Sequence, residues 1–561
     1  MLTRLSPTAS KRLSAAAPVA TGLLLSLAFP PFDYYALAVV ALVPTALVLR
    51  DQPSIKGIFF TGFVGGALFH AAALNWMRSS YGAQGLSGPY VAAWFLSLLA
   101  GGIWFLVVVE LCRHLLRHRR YPACFVLPVV WVSAEFARDQ MLALLEHWGA
   151  PILCLGLTLA ENAHLAQVAD LGGVYALTGL VAAINGLWVD AIHGGRMSKN
   201  GSFAGSRRVA GFTAALILAA WAYGGWRLHQ NAAVGTGPVI WLAGEADLPP
   251  LLSPSRFRLP ADVAKATLTS HATTAPGKAT QTARADLIVW PELAYHHVVK
   301  LPAVSHGVGL AINDSAGRAA AGEANRGLSF LEQGAATIGA SLLMGCQRIE
   351  TVGNSTVRYN SLLLIDPHKG LRGVYDKVFL VPWTEFIPRT SRWLRLKSVR
   401  KFCGGNRAEV FHLRAVSRDD GFRFGCAICY DIAFAAHFRR MMRAGVDPPD
   451  FFIQCGSEGQ DQTLCLARLS LRLARLRAIE CRRAVVRNVT NGYSGVIDGN
   501  GRLIHAVTGR NIHRPELLDP LPLDRRTSLY ALTGDWLPML CCVLLGVGCL
   551  AMPGRHHFPA I

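Results

Sequence analysis

Charge is scarce in this chain, and acidic charge scarcest. Only 16% of its 561 residues are charged, and 35 Asp+Glu stand against 55 Lys+Arg. A soluble globular protein carries about a quarter charged residues, so a fold wholly in water is not expected. With 52% hydrophobic residues and a mean hydropathy of +0.32, intrinsic disorder is excluded as well. Metal-ligand spacing is also missing. The thirteen cysteines supply one C-x-x-C, Cys426 to Cys429, with no second C-x-x-C or H-x-x-x-H beside it to complete a zinc site. No Walker loop or G-x-G-x-x-G follows a strand, so no nucleotide, cofactor or metal is expected. Cys112, Cys124, Cys541, Cys542 and Cys549 lie in apolar runs and read as small packing residues.

What the chain does have is apolar length. Runs near 15–31, 34–50, 57–77, 89–112, 122–138, 171–192 and 209–227, and a last one near 533–552, approach the ~20 residues that cross a hydrocarbon core as helix. A cleaved signal peptide over residues 1–30 competes, because Arg4, Lys11 and Arg12 precede the first run, but a second run follows at once. Basic residues then separate the connections. Arg113, Arg117, Arg119 and Arg120 fill one; Arg196, Lys199, Arg207 and Arg208 fill another. The segment 79–88 has no Lys or Arg, and 139–170 carries Asp139, Glu146, Glu161 and Asp170 without a basic residue. Positive charge is retained on the cytoplasmic side, so both termini are expected inside and the segment 230–530 outside.

That segment has a different period. Short β-rich runs at 239–244, 285–290, 340–346, 361–366, 422–430, 450–455 and 484–489 alternate with helical patterns such as 321–338 and 462–481. The expected architecture is a polytopic α-helical membrane bundle of about eight spans (1–230 and 533–552) carrying an α+β domain over 236–526 on the outer face.

Three polar groups stand where apolar strands run out: Glu292 after DLIVWP, Lys377 in YDKVF, and Cys429 at the end of FGCAIC. Each alone reads as a surface or core residue. Together they supply a nucleophile, a base to take its proton and a cation for a developing oxyanion. Glu385, eight residues past Lys377, adds an acid or orienting carboxylate.

The motifs WPE, YDKVFLVPWTEFIP and CAICYDIAF resemble, in that order, the Glu, Lys and Cys motifs of the nitrilase superfamily. LLLSLAFPPFDYYALAVVALVP, VADLGGVYALTGLVAAING, ARLRAIECRRAVVRNVTNGYSGVIDGNGRL and SLYALTGDW resemble the bacterial apolipoprotein N-acyltransferases, over nearly the whole chain. The resemblance implies an αββα sandwich at the outer face of the bacterial inner membrane. It implies Cys429 as the acylated nucleophile, Glu292 as its base and Lys377 as the oxyanion stabiliser, with Glu385, Tyr430 and Asp431 in support. It implies a ping-pong transfer of an acyl chain from a membrane phospholipid, by way of a thioester, to the α-amine of a diacylglyceryl-modified apolipoprotein, by a monomer. Three departures stand out. Asp431 replaces the usual Glu; AGEADLPPLLSPSRF at 244–258 lacks the family's arm Trp; and QCGSEGQDQ at 454–462 replaces Asn-Asp-Ala-Trp-Phe-Gly. A membrane-tethered amidase using the same triad, and a non-catalytic scaffold or transporter, are the competing readings.

Four further features carry expectations. The aromatic and basic segment 379–396, with Trp383, Phe386 and Trp393, reads as an interfacial lid in preference to core packing. The arginine-rich helix 464–483 reads as a solvated face or a phosphate contact; nucleic acid is not expected outside the cytoplasm. A redox role for Cys426–Cys429 is not expected within a strand pattern, where residues three apart face opposite sides. Glu110 and Arg138 read as helix-end snorkels, and Glu135 as a partner of Arg138.

Overall fold

The computed structural model describes residues 7–51, 55–76, 87–118, 121–144, 151–197, 203–230, 233–243, 285–301, 326–352, 355–389, 402–415, 418–445, 447–458, 464–508, 516–518 and 520–550. These form two compact units: one from residues up to 229 together with 532–550, the other from 230–531.

The first unit is helical. Its main helices are Pro7–Ala28, Val43–Asp51, Ile55–Ala73, Ser87–Arg113, Ala123–Leu144, Ala169–Met197, Phe203–His229 and Trp536–Leu550. Among the described residues two helices are long and apolar enough to cross a membrane, Trp94–Arg117 and Leu165–His193; Ala16–Ala28, Tyr35–Arg50, Gly62–Ala73 and Trp536–Leu550 are apolar but shorter. The expected run 34–50 is not one α-helix: a 3-10 turn, Tyr35–Val39, precedes Val43–Asp51. The side chain of Asn185 satisfies this break, accepting from the Leu42 amide at 2.9 Å and donating to the Ala38 carbonyl at 2.8 Å. Asp190 caps the helix at Ala123 by accepting the Ala123 and Cys124 amides. Glu135 is not hydrogen-bonded to Arg138 as the spacing suggested. It accepts from Trp131, the Leu155 amide and Thr178, while Arg138 pairs with Asp139 at 3.0 Å. The helices Pro7–Ala28 and Ile55–Ala73 approach closely: a Cβ on Gly22 would lie 2.2 Å from the Gly65 carbonyl oxygen.

The second unit is a two-sheet sandwich with helices outside. One sheet has the order β14-β2-β3-β5-β6-β7, with β4 paired to β5. Its strands are β2 Ile240–Leu242, β3 Leu287–Val289, β4 Tyr295–Lys300, β5 Ser341–Val352, β6 Ser355–Asp366, β7 Gly370–Asp376 and β14 Glu516–Leu518. The other sheet runs β13-β12-β11-β10-β9-β8. It comprises β8 Val410–Ala415, β9 Arg418–Ile428, β10 Phe451–Ser457, β11 Ala484–Thr490, β12 Tyr493–Ile497 and β13 Leu503–Thr508. A separate pair joins β1 Ala233–Thr236 to β15 Pro522–Asp524.

Period-two alternation explains the layers. Ile240, Leu242, Leu287, Val289, Leu362 and Leu364 face inward and meet Phe422, Phe424, Cys426, Phe451 and Ile453 of the second sheet. The alternate residues Trp241, Ile288, Leu342 and Leu363 pack with Leu331 and Ala335 of the helix Arg326–Ile338. Helices Ala435–Met442 and Cys465–Cys481 adjoin the second sheet. β9, β10 and β11 are mutually parallel, as are β2, β3 and β5, so each sheet gathers several strand carboxyl ends on one edge. Such edges are where α/β sheets bind ligands.

The helix Cys465–Cys481 corrects the expectation of a solvated basic face. Arg472 and Arg477 within it, and Arg482 and Arg483 just beyond its end, are buried. Arg477 pairs with Glu480 at 2.9 Å, Arg482 donates to the Gly499 carbonyl and Asn500, and Arg483 donates to the Pro449 carbonyl. These guanidiniums satisfy carbonyls and a carboxylate within the domain, a use for Arg that composition does not distinguish from surface charge.

Candidate active site

Glu292 comes three residues after β3, where the inward-facing run ends. Lys377 follows β7 directly, and its amide donates to the Asn360 carbonyl at 2.8 Å. Cys429 follows β9. The strand ends at Ile428, so the cysteine opens a 3-10 turn, Cys429–Ala433, and does not lie within the strand as its pattern suggested. Its φ of 47° is a left-handed conformation that a non-glycine residue holds only under local constraint. Asp431 supplies that constraint. Its carboxylate accepts from the Ile428 amide at 2.9 Å, the Phe379 amide at 2.8 Å and the Tyr375 hydroxyl at 2.6 Å.

The structure brings Glu292, Lys377 and Glu385 into one ion network. The Lys377 ammonium lies 3.2 Å from Glu292 Oε1 and 2.9 Å from Glu385 Oε2. Asn360, on β6, bridges the same two acids, its Nδ2 donating at 2.7 Å to Glu292 and 2.9 Å to Glu385. The Ser457 amide at the carboxyl end of β10 donates to Glu292 Oε2 at 2.9 Å, and the Val381 amide to Glu385 Oε2 at 2.8 Å. Lys377 is 1% exposed, Glu385 5% and Glu292 9%, whereas Cys429 is half-buried. Cys429 is thus the most accessible residue of the group, although its thiol is itself desolvated.

Electrostatics link these residues to the thiol. Burial pushes the Cys429 thiol well above its ordinary range and the Glu292 charge adds to this, while Lys377 opposes both. Burial alone would pull the Lys377 ammonium down, but Glu292 and Glu385 hold it well above the ordinary lysine value. The resting pair is therefore a neutral thiol beside a fixed cation. Iodoacetamide labelling of Cys429, located by peptide mass, is expected to be slow at pH 7 and still rising above about pH 9, past the usual cysteine midpoint. A plateau near neutrality would contradict this.

Asn360, the Ser457 amide, Gln454 and Glu458 were not singled out from sequence. A polar residue inside the β6 run was the one available signal for Asn360; a backbone donor leaves none. Asn360→Leu is expected to cost about 1.5–3 kcal/mol, read by denaturant unfolding, because both carboxylates lose a charge-assisted donor. Tyr430 is half-buried, edge-on to Phe434 at 5.2 Å. Of the expected lid, Trp383 is buried at 8% exposure, and Phe379 stacks on Phe434 at 3.8 Å. Trp383 is thus a core residue and not a headgroup ring. Phe386 is half-buried, while Trp393 and the segment 244–258 lie outside the described residues. Cys426 is buried and unbonded to Cys429.

Family comparisons bear on this arrangement. The family model of the apolipoprotein N-acyltransferase N-terminal domain matches residues 21–187, and that of carbon-nitrogen hydrolase matches residues 241–511. The chain belongs to the apolipoprotein N-acyltransferase family, within the nitrilase superfamily. It is an acyltransferase. The apolipoprotein N-acyltransferase of Rhodopirellula baltica is 24% identical, over 94% of this chain and 94% of its own. That of Gloeobacter violaceus is 27% identical over 97% and 96%, and that of Geobacter metallireducens 25% over 86% and 85%.

Proposed function

We propose that this chain moves a fatty acyl group from a membrane phospholipid to the α-amine of diacylglyceryl-cysteine in apolipoproteins, through a thioester on Cys429. The observation that carries the reading is the buried Lys377 held between Glu292 and Glu385, whose charges act on the Cys429 thiol. In the first half-reaction Glu292 takes the thiol proton as sulfur attacks the ester carbonyl. Lys377 stabilises the tetrahedral oxyanion, and Glu292 returns the proton to the departing lysophospholipid alkoxide. In the second, a neutral amine attacks the thioester; the amide forms and the thiol is restored. Glu385 and Asn360 orient Lys377 and Glu292, and Asp431 holds the turn that presents Cys429. Tyr430 borders the turn.

A membrane location supports a lipid donor. Large apolar residues stand exposed along the helical unit, including Phe60 at 72%, Leu218 at 66%, Val543 at 62% and Phe212 at 60%. Exposed apolar surface on this scale is favourable against hydrocarbon and not against water. The reading places the catalytic domain at the outer face of the bacterial inner membrane, with both termini cytoplasmic and eight spans, on the distribution of basic residues. With labelled phospholipid and a diacylglyceryl-cysteine peptide, the purified enzyme is expected to yield triacylated peptide and lysophospholipid in equal amounts. Free fatty acid as the main product would favour a hydrolase instead.

A further inference from the structure

A fourth acid lies beside the site and has no task in the steps above. Glu458 follows β10, one residue beyond the Ser457 amide that holds Glu292. It is 3% exposed. Its Oε1 accepts from Arg487 at 3.1 Å, and Arg487 is fixed in turn by Gln454 and Ser470. Gln454 also reaches toward the Cys429 carbonyl, at 3.5 Å. The second carboxylate oxygen, Oε2, accepts no hydrogen bond among the described residues. A Cβ on Gly492 would lie 2.2 Å from that oxygen, so only glycine at 492 leaves it room. An unsatisfied, buried carboxylate oxygen costs free energy unless a donor arrives.

Charge balance indicates which donor. Glu292, Glu385 and Glu458 face Lys377 and Arg487, leaving a net negative charge even without Asp431. An ammonium is attracted by this excess. The charged and titratable groups acting on Glu458 are Arg487 and Glu292, and Glu458 itself acts on Cys429.

Resting on the acyl-transfer reading, we propose that Glu458 Oε2 binds the α-ammonium of the acceptor and takes its first proton, generating the amine that attacks the thioester. The step balances. The N–H electron pair stays on nitrogen as the proton passes to Glu458, and the neutral amine forms the C–N bond. The tetrahedral intermediate then expels Cys429 as thiolate, and Glu292 moves the second nitrogen proton to that sulfur. Glu458 afterwards releases its proton to solvent. Burial raises the Glu458 pKa from its ordinary value, the direction that strengthens a base.

The test separates the two half-reactions. Glu458→Gln, incubated with labelled phospholipid, is expected to form the Cys429 thioester within about twofold of the wild-type rate. Its transfer to a diacylglyceryl-cysteine peptide is expected to fall about 10²–10³-fold, in the range typical of general-base catalysis, and to recover as pH rises. Hydroxylamine, already neutral at the assay pH, should discharge the variant's thioester as fast as the wild type's. Gly492→Ala, which displaces Oε2, should reproduce this pattern in weaker form. Wild-type transfer by Glu458→Gln, or an equal loss with hydroxylamine, would overturn the assignment. If Glu458→Gln does not fold, Gly492→Ala decides by the same two readouts. Absence of a thioester in the wild type itself would instead refute the reading on which the proposal rests.

Discussion

Cys429→Ala is expected to lower acyl transfer by at least about 10⁴-fold while the protein still folds, since removing a nucleophile disables both half-reactions at once. The fold should tolerate the change because Cys429 is half-buried and its turn is held by Asp431 and not by the sulfur. Intact helical content and unfolding midpoint alongside lost turnover would meet the expectation. Residual transfer above a hundredth of the wild-type rate would show that acyl groups move by direct attack, with no sulfur intermediate.

Lys377→Met should affect activity and stability together. The substitution leaves Glu292 and Glu385 facing one another, buried, with Asn360 as the remaining shared donor. Removing one partner of a buried ion network typically costs about 3–5 kcal/mol, because the charges left behind are uncompensated. Adding Glu292→Gln and Glu385→Gln to Lys377→Met should restore much of the stability and none of the activity. Denaturant unfolding, with turnover measured in parallel, distinguishes this from simple misfolding. A deficit that the two Gln substitutions leave unchanged would argue that Lys377 matters by packing alone.

The parts of the site legible in sequence are those marked by a break in pattern. Glu292, Lys377 and Cys429 each interrupt an apolar strand run at its carboxyl end, and the parallel strands of the two sheets carry such ends to common edges. Asn360 was marked only as a polar residue within a strand run, and Glu458 only as part of the departure at 454–462, because their importance comes from neighbours more than sixty and more than twenty residues away in sequence: Glu292 for the first, Arg487 for the second. Strand periodicity indicated an α+β domain, since alternation fixes facing without regard to distance, while the sandwich itself was implied by the family resemblance. Composition failed where one residue type serves two environments. Trp383 suits a membrane interface and a domain core equally well, and its burial decides for the core. Arg477 and Arg482 read as surface charge until their carboxylate, carbonyl and amide partners are seen. The break before Val43–Asp51 was hidden for a similar reason: Asn185, remote in sequence, satisfies the exposed backbone.

In the proposed mechanism the acyl group rests on one sulfur between donor and acceptor. Incubating the purified protein with phospholipid in the absence of acceptor, then locating the added mass by peptide analysis, tests this most directly. A single hydroxylamine-sensitive acyl group is expected on Cys429, lost in Cys429→Ala and discharged by a diacylglyceryl-cysteine peptide. An enzyme that transfers acyl chains with no such adduct, or carries it on another residue, would contradict it.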